Sequence, residues 1–335
     1  MKNFKKNTFI ILIITVIAMY IILKDDFNDI VHELLNMRVI FIVLSMLSFL
    51  IYLMCKAESL RIVAINNNKS FTYKKAFLQN LIVQFFNGIT PFQTGGQPMQ
   101  VYMLRKNNIS VSKSTNIVIQ EFIFYQIALV ILGVIAVSIN YFCHFFTRID
   151  ILRLLVGLGF LFNTLVVIAL IIISLDKRIT DFFVRGITKI LIKLRIIKNK
   201  EKTLTKVDKK LKEFHSNAKY LLSNKKILIK GVIINFIGLC FFYITPLFVA
   251  YGFGISNINA IEVITASAYV YLVASFIPLP GATGGFEYSF MSFFGNFING
   301  ATLPAILIIF RTISYYIPII IGGIIFNLYK GDEQK

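Results

Sequence analysis

The chain has 335 residues, 57% hydrophobic and 15% charged, with a mean hydropathy of +0.75, whereas soluble domains carry roughly 45–50% apolar and about 25% charged residues. That excess is more than one globular core buries, and its concentration in long apolar blocks makes the solvent a bilayer. The 35 Lys and Arg against 16 Asp and Glu would point to nucleic acid in a soluble protein, but their distribution between apolar blocks assigns them to membrane orientation, and no nucleic-acid partner is expected.

Lys2, Lys5 and Lys6 precede an apolar run over residues 9–23 that resembles a signal peptide. The exit Tyr20-Ile21-Ile22-Leu23-Lys24-Asp25 has no small-x-small cleavage pattern, so a first, uncleaved span is expected. Residues 24–38 hold two basic and four acidic side chains and read as an outside loop by the positive-inside rule. A second span covers 39–55. Residues 56–75, with five basic side chains against Glu58 alone, return the chain to the cytoplasm. The next apolar segment, 76–89, spans only about 21 Å as helix before Thr90-Pro91-Phe92-Gln93-Thr94-Gly95-Gly96-Gln97-Pro98 breaks it; a short return follows to Leu104. Both ends of this segment are basic, so it is expected to dip in from the cytoplasm and come back.

Spans are predicted at 117–139 and 151–175. The segment 176–226 carries sixteen Lys or Arg and five acidic residues, which makes it cytoplasmic. Its apolar residues, among them Ile187, Ile190, Leu191 and Leu194, recur at helical intervals, as in amphipathic helices lying on a membrane surface. After a span at 227–250, residues 251–302 contain no Lys or Arg and read as outward-facing. Within them a second broken segment runs 263–279, breaks at Pro280-Gly281-Ala282-Thr283-Gly284-Gly285 and resumes over 286–297. The last span covers 303–328. The sequence thus predicts a single all-α integral membrane domain over 1–335, with six crossings, two oppositely directed re-entrant helical hairpins and both termini cytoplasmic.

The two breaks share the pattern P-x-x-T-G-G, at Pro91 and again at Pro280. With opposite orientation and short helices, this is the logic of inverted repeats in secondary transporters, whose broken helices meet near the bilayer midplane. Pro and Gly leave backbone groups unpaired, which lipid does not tolerate unless they face protein or a watery cavity. The alternative is a pair of ordinary turns at the membrane surface.

Ionisable side chains inside spans are functional candidates because each costs ~2.5–3.5 kcal/mol at the bilayer centre. Four stand out: Arg105 closing the first hairpin, Glu121 between Gln120 and Gln126, Glu287 after the second Gly-Gly, and Arg311 in the last span. Two acids and two bases are expected to pair around one cavity, with interfacial anchoring as the alternative for Arg105 and helix packing for Glu121. Gln93, Thr94, Gln97 and Gln100 add uncharged polarity, and Asn80, Gln84 and Asn87 share one helical face at i, i+4, i+7, predicted to look into the cavity. Cys55, Cys143 and Cys240 are scattered, His32, His144 and His215 stand alone, and neither an H-E-x-x-H helix nor a G-x-x-x-x-G-K-[ST] loop occurs. Zinc-protease chemistry and intrinsic ATP hydrolysis are therefore excluded, and no metal or other cofactor is expected.

Thr90-Pro91-x-x-Thr94-Gly95-Gly96-Gln97-Pro98, Pro280-Gly281-Ala282-x-Gly284-Gly285-Phe286-Glu287 and Arg311-x-x-Ser314-Tyr315-Tyr316-x-Pro318-x-x-x-Gly322 together resemble the flippase-like transmembrane region of bacterial lysylphosphatidylglycerol synthases. The resemblance covers nearly the whole chain. It implies a multi-pass protein of the bacterial plasma membrane, with membrane phospholipids as partners, that moves a polar lipid such as aminoacylated phosphatidylglycerol between leaflets. By the same resemblance Gly95, Gly96, Gln97, Gly284, Gly285, Glu287 and Arg311 line the cavity. Many relatives carry Glu and Arg where this sequence has Gln97 and Gln100, a departure that bears on the cargo. In the resembling proteins a separate cytosolic domain makes the aminoacyl lipid, and since this chain ends at Lys335, soon after the last span, that domain is expected to be lacking. An aminoacyl-lipid synthase of the phosphatidylglycerol lysyltransferase type, or its membrane subunit, and a structural scaffold stay open as alternatives, as does a homo-oligomer.

Overall fold

The computed structural model describes residues 27–146, 150–193 and 224–329, together with six positions between 205 and 216. All regular structure among the described residues is helical. Five helices are long and apolar enough to cross a membrane: α2 (Val39–Ala64), α5 (Val111–Cys143), α6 (Asp150–Leu175), α8 (Lys225–Gly252) and α11 (Thr302–Leu328). At 1.5 Å per residue even the 26-residue members reach about 39 Å, more than the ~30 Å hydrocarbon layer. The periphery is apolar. On α6, Leu154, Leu158, Leu161, Leu165, Ile168 and Ile172 are all exposed and recur three to four residues apart, a stripe that lipid, not water, stabilises.

Shorter helices fill the rest. α1 (Phe27–Asn36) precedes α2, and α7 (Lys177–Lys193) follows α6. α3 (Tyr73–Gly88) and α4 (Gly96–Lys106) form one helical hairpin; α9 (Ala260–Ala274) and α10 (Gly285–Phe294) form the other. Side chains cap their entries, with Thr72 accepting from Lys75 N–H and Asn259 from Ile261 N–H. Their exits are set by proline. α9 stops four residues short of Pro278, and Pro91 and Pro280 each open a short 3-10 turn, Pro91–Gln93 and Pro280–Ala282. The two turns pack against each other.

α8 lies along α2, and α11 lies along α3. The second contact depends on Gly322, where a Cβ would come within 2.2 Å of the Leu81 carbonyl oxygen. Any side chain there would push α3 away from the helix that anchors both hairpin tips.

Each of the last five predicted spans corresponds to one long helix, and the two predicted breaks fall between helices where expected. The first predicted span, 9–23, lies outside the described residues, as does most of 194–223. The larger differences are in α1, α2 and α5, the last of which starts six residues before and ends four residues after the predicted 117–139. α2 runs nine residues past the predicted end at Cys55, because Lys56, Glu58 and Arg61 are accommodated within the helix: Arg61 donates to Glu58 at 2.6 and 2.7 Å. α1 places a helix in what reads from sequence as an acidic loop. A helix, α7, covers the first part of the basic segment, and Arg185 on it reaches Asp208 at 3.0 Å.

Candidate functional site

The shared P-x-x-T-G-G pattern produces matching left-handed backbone at the two positions after each proline. After Pro91 the chain turns left-handed at Phe92 (φ 52°) and Gln93 (φ 55°); after Pro280 it does so at Gly281 (φ 61°) and Ala282 (φ 54°). Gln93 N–H donates to the Thr90 carbonyl at 3.2 Å and Ala282 N–H to the Leu279 carbonyl at 2.9 Å; Thr94 N–H reaches the Pro91 carbonyl at 3.2 Å and Thr283 N–H the Pro280 carbonyl at 3.3 Å. Each threonine hydroxyl also donates to the same proline carbonyl, at 2.9 and 2.8 Å. The proline fixes the entry and the threonine closes the turn twice. Three of the four left-handed residues are not glycine, a conformation costing ~1–2 kcal/mol each, so packing holds the turn in place.

Both tips are pinned to the middle of α11. Arg311 and Tyr315 are the tenth and fourteenth residues of this 27-residue helix, about 14 and 20 Å from its start. Arg311 Nε donates to Glu287 Oε1 at 2.7 Å, its Nη2 also reaches that oxygen, and Nη2 donates to the Gly281 carbonyl at 3.0 Å. The other carboxylate oxygen, Glu287 Oε2, accepts from Gly284 N–H at 2.6 Å and so caps α10. The Arg311 guanidinium lies 4.2 Å from the Phe286 ring centre and 4.8 Å from that of Tyr315. Arginine, carboxylate and two rings thus share one desolvated cluster, in which ring faces and hydrogen bonds offset the burial of charge. Tyr315 sits in a π-helical turn, Thr312–Tyr316, and donates its hydroxyl to the Gly88 carbonyl at 2.9 Å, satisfying the C-terminal end of α3. Gly281 is required here: beyond its positive φ, a Cβ would come within 2.4 Å of the Tyr315 ring.

A second ion pair joins Lys56 on α2 to Glu121 on α5. The Lys56 ammonium also lies 4.3 Å from the centre of the Tyr125 ring. On each helix the charge and the aromatic ring are four residues apart, Tyr52 with Lys56 and Glu121 with Tyr125, so they share a face. Tyr52 is within hydrogen-bonding reach of Gln84 and Tyr125 and stacks on Phe242 at 4.6 Å.

Between the two pairs lies a cavity of about 520 Å³, walled by α2, the first hairpin, α5, α6 and the second turn. Lys56, Glu121 and Tyr125 form one side and Gln93, Gln97 and Gln100 another, while Gln126 and Asn163 bond each other at 3.2 Å on the wall formed by α5 and α6. A narrower pocket of about 90 Å³ adjoins it, sharing the walls formed by Tyr52, Gln84, Asn87 and Tyr271 and reaching Arg311. The lining is largely apolar by area, with polar side chains gathered within it, and its lip includes the exposed Phe92 and Phe162.

Of the residues singled out from sequence, Gln97, Gln100 and Glu121 line the larger cavity and Arg311 the smaller pocket. Asn80, Gln84 and Asn87 line the larger cavity together, as their spacing predicts. Gly95, Gly96, Gly284, Gly285 and Glu287 are not on either wall; they shape the turns behind it, with Gly96 N–H held by Asn87 Oδ1 at 3.0 Å and Gly95 N–H by Thr90 Oγ1 at 2.8 Å. Arg105 is exposed near the C-terminal end of α4 and is on neither wall, because it lies nine residues beyond Gly96, about 14 Å along the helix from the tip. The expected grouping of two acids with two bases takes the form of two separate pairs, with Lys56 in the place expected of Arg105. Sequence reasoning missed Lys56, Tyr52, Tyr125, Tyr271 and Asn163; the i, i+4 pairing of charge with tyrosine on two apolar helices is the signal that finds the first three.

Comparison with curated proteins returned no match. A sequence model of the lysylphosphatidylglycerol synthase TM region, by contrast, matches residues 8–322, nearly the whole chain and all of the paired turns and cavity walls, and this all-α membrane protein therefore belongs to the flippase-like lysylphosphatidylglycerol synthase transmembrane-region family.

Proposed function

We propose that the protein moves a polar lipid between leaflets of the plasma membrane, its headgroup passing through the cavity while the acyl chains stay in hydrocarbon at the Phe92 and Phe162 lip. The carrying observation is that two helix-breaking turns of matching geometry meet beside the middle of a crossing helix, next to a cavity into which several amide and charged side chains are gathered. In this reading the two hairpins are re-entrant from opposite faces and form an inverted repeat, consistent with basic residues flanking the first and their absence from 251–302. A sixth crossing precedes α1, and both termini are cytoplasmic.

The chain's own groups have distinct tasks. Arg311 and Glu287 hold the second turn to α11 and present one edge of a fixed guanidinium to the smaller pocket. The first hairpin supplies amides, with few fixed partners, to the larger cavity. No covalent step is needed, and nothing on the walls is arranged as a nucleophile with its base.

Leaflet exchange of acyl-labelled fluorescent lipids in vesicles containing the purified chain tests this. Exchange is expected well above that of protein-free vesicles, and Gln97→Trp, which fills the cavity from a half-buried position, is expected to abolish it at an equal amount of folded protein. Exchange no faster than in empty vesicles, or unaffected by the blocking substitution, would sink the proposal.

A further inference from the structure

The charged groups around the cavity are already spent on each other. Lys56 is paired with Glu121, and Arg311 with Glu287 and the Gly281 carbonyl; Glu287 lies behind Arg311 and not on the wall. A cationic headgroup would need a free carboxylate, and a headgroup phosphate brought inside would need a free cation. Either could touch these groups, but it would meet charges that already balance each other, and claiming one as its own counter-charge would break a buried pair and leave the other charge uncompensated, which is strongly unfavourable.

What the cavity does leave free is carboxamide. Among the described residues, Gln93, Gln97 and Gln100 line the cavity with side-chain carboxamides that make no hydrogen bond to protein, and Gln100 is only 5% exposed. Each offers two N–H donors and a carbonyl acceptor. Such a set matches a ligand whose groups both donate and accept, which is the property of hydroxyls. Across the cavity, Tyr52, Tyr125 and Tyr271 supply aromatic surface, the kind of surface that the C–H face of a sugar ring covers. The volume, about 520 Å³, falls within the ~300–1,000 Å³ of small-ligand sites.

We propose that the lipid taken by this cavity bears an uncharged, hydroxyl-rich headgroup, a glycosyl unit on a glycerolipid, and that Gln93, Gln97 and Gln100 read its hydroxyls. The inference rests on the transport reading above and narrows its cargo. Charge neutrality of the walls excludes a net-charged headgroup from the same position.

The test compares three acyl-labelled lipids in phosphatidylcholine vesicles containing the full chain: monoglucosyl diacylglycerol, lysyl-phosphatidylglycerol and phosphatidylglycerol. The glucosyl lipid is expected to exchange at least about tenfold faster than either charged lipid, the equivalent of one or two hydrogen bonds made or lost. Gln97→Leu with Gln100→Leu is expected to remove that preference. As a readout independent of the variants' folding, monoglucosyl diacylglycerol is expected to raise the melting temperature of the wild-type chain in a detergent without a sugar headgroup, and lysyl-phosphatidylglycerol is not. If a charged lipid exchanges as fast as the glucosyl one, the headgroup assignment is overturned while lipid movement stands. A glucosyl preference that survives in the double variant also overturns it. If no lipid exceeds the protein-free rate, the transport reading fails and the cargo inference falls with it.

Discussion

At Pro91–Gln93 and Pro280–Ala282 the backbone makes one turn twice, yet the peptide groups freed by the break are satisfied by different chemistry. In the first hairpin the partners are neutral: Thr90 and Asn87 hold the N–H groups of Gly95 and Gly96, and Phe92, Gln93 and Thr94 are exposed. In the second they are ionic: Glu287 holds Gly284 N–H and Arg311 holds the Gly281 carbonyl, with Gly281, Ala282 and Thr283 buried. The surroundings explain the difference. The second turn lies against an aromatic core in which Phe286 and Phe290 both stack on Phe310, where an unpaired group is costly and charge-assisted hydrogen bonds compensate best. The first turn borders the cavity, where water or a headgroup completes the count. One turn is built as a fixed anchor, the other as a surface that exchanges partners.

The largest effect that sharpens this contrast is expected at the anchor. Arg311→Ala strands Glu287 in the core and frees the Gly281 carbonyl, and is expected to cost about 3–5 kcal/mol, the usual consequence of halving a buried pair. Thermal unfolding of the detergent-solubilised protein reads it. Adding Glu287→Leu is expected to recover part of the loss by removing the stranded charge, although Gly284 N–H then loses its acceptor. Equal melting temperatures for wild type and Arg311→Ala would show that the second turn is no more anchored than the first.

Gly281→Ala comes next, at about 3 kcal/mol. A left-handed φ with a Cβ contributes ~1–2 kcal/mol, and the Cβ would overlap a Tyr315 ring whose hydroxyl is bonded to Gly88, so overpacking adds a similar amount. Tyr315→Phe is smaller. It keeps the ring over Arg311 but leaves the Gly88 carbonyl unpaired at the end of α3, which is expected to cost about 1–2 kcal/mol. It also removes a hydrogen bond that ties the first hairpin to α11, so faster hydrogen exchange at the α3 end is expected with little change in α9 and α10.

The breaks and the five described crossings were legible because hydropathy, Pro and Gly are local signals, and the matching turns follow from the repeated P-x-x-T. The ion pairing was not. Glu121 stands out in sequence as an acid within an apolar run, but its partner Lys56 is 65 residues away and looks like the first residue of a basic loop, since nothing local says that α2 continues to Ala64. Which acid meets which base depends on how α2, α5, α10 and α11 are rotated about their axes, and rotation is fixed by packing that sequence spacing only brackets. The tyrosines were hidden for the same reason: on apolar helices an inward and a lipid-facing ring read alike until neighbours are placed. Asn80, Gln84 and Asn87 succeeded because three polar residues on one short helix define its inward face without reference to any partner.

Phe92→Gly is expected to have the smallest effect and to bear most directly on the comparison. Phe92 occupies the position in the first turn that Gly281 occupies in the second, with the same left-handed backbone, but its side chain is 48% exposed at the cavity lip and meets no counterpart of Tyr315. Glycine there relieves ~1–2 kcal/mol of backbone strain and gives back roughly 0.5–1 kcal/mol in added freedom of the unfolded chain, so stability is expected to change by less than about 1 kcal/mol. Because the same substitution removes one wall of the lip, lipid exchange is expected to change more than the melting temperature does. The reverse pattern, a large stability loss with exchange intact, would mean that Phe92 packs the first turn as firmly as the arginine pins the second, and the division between anchor and exchange surface would not hold.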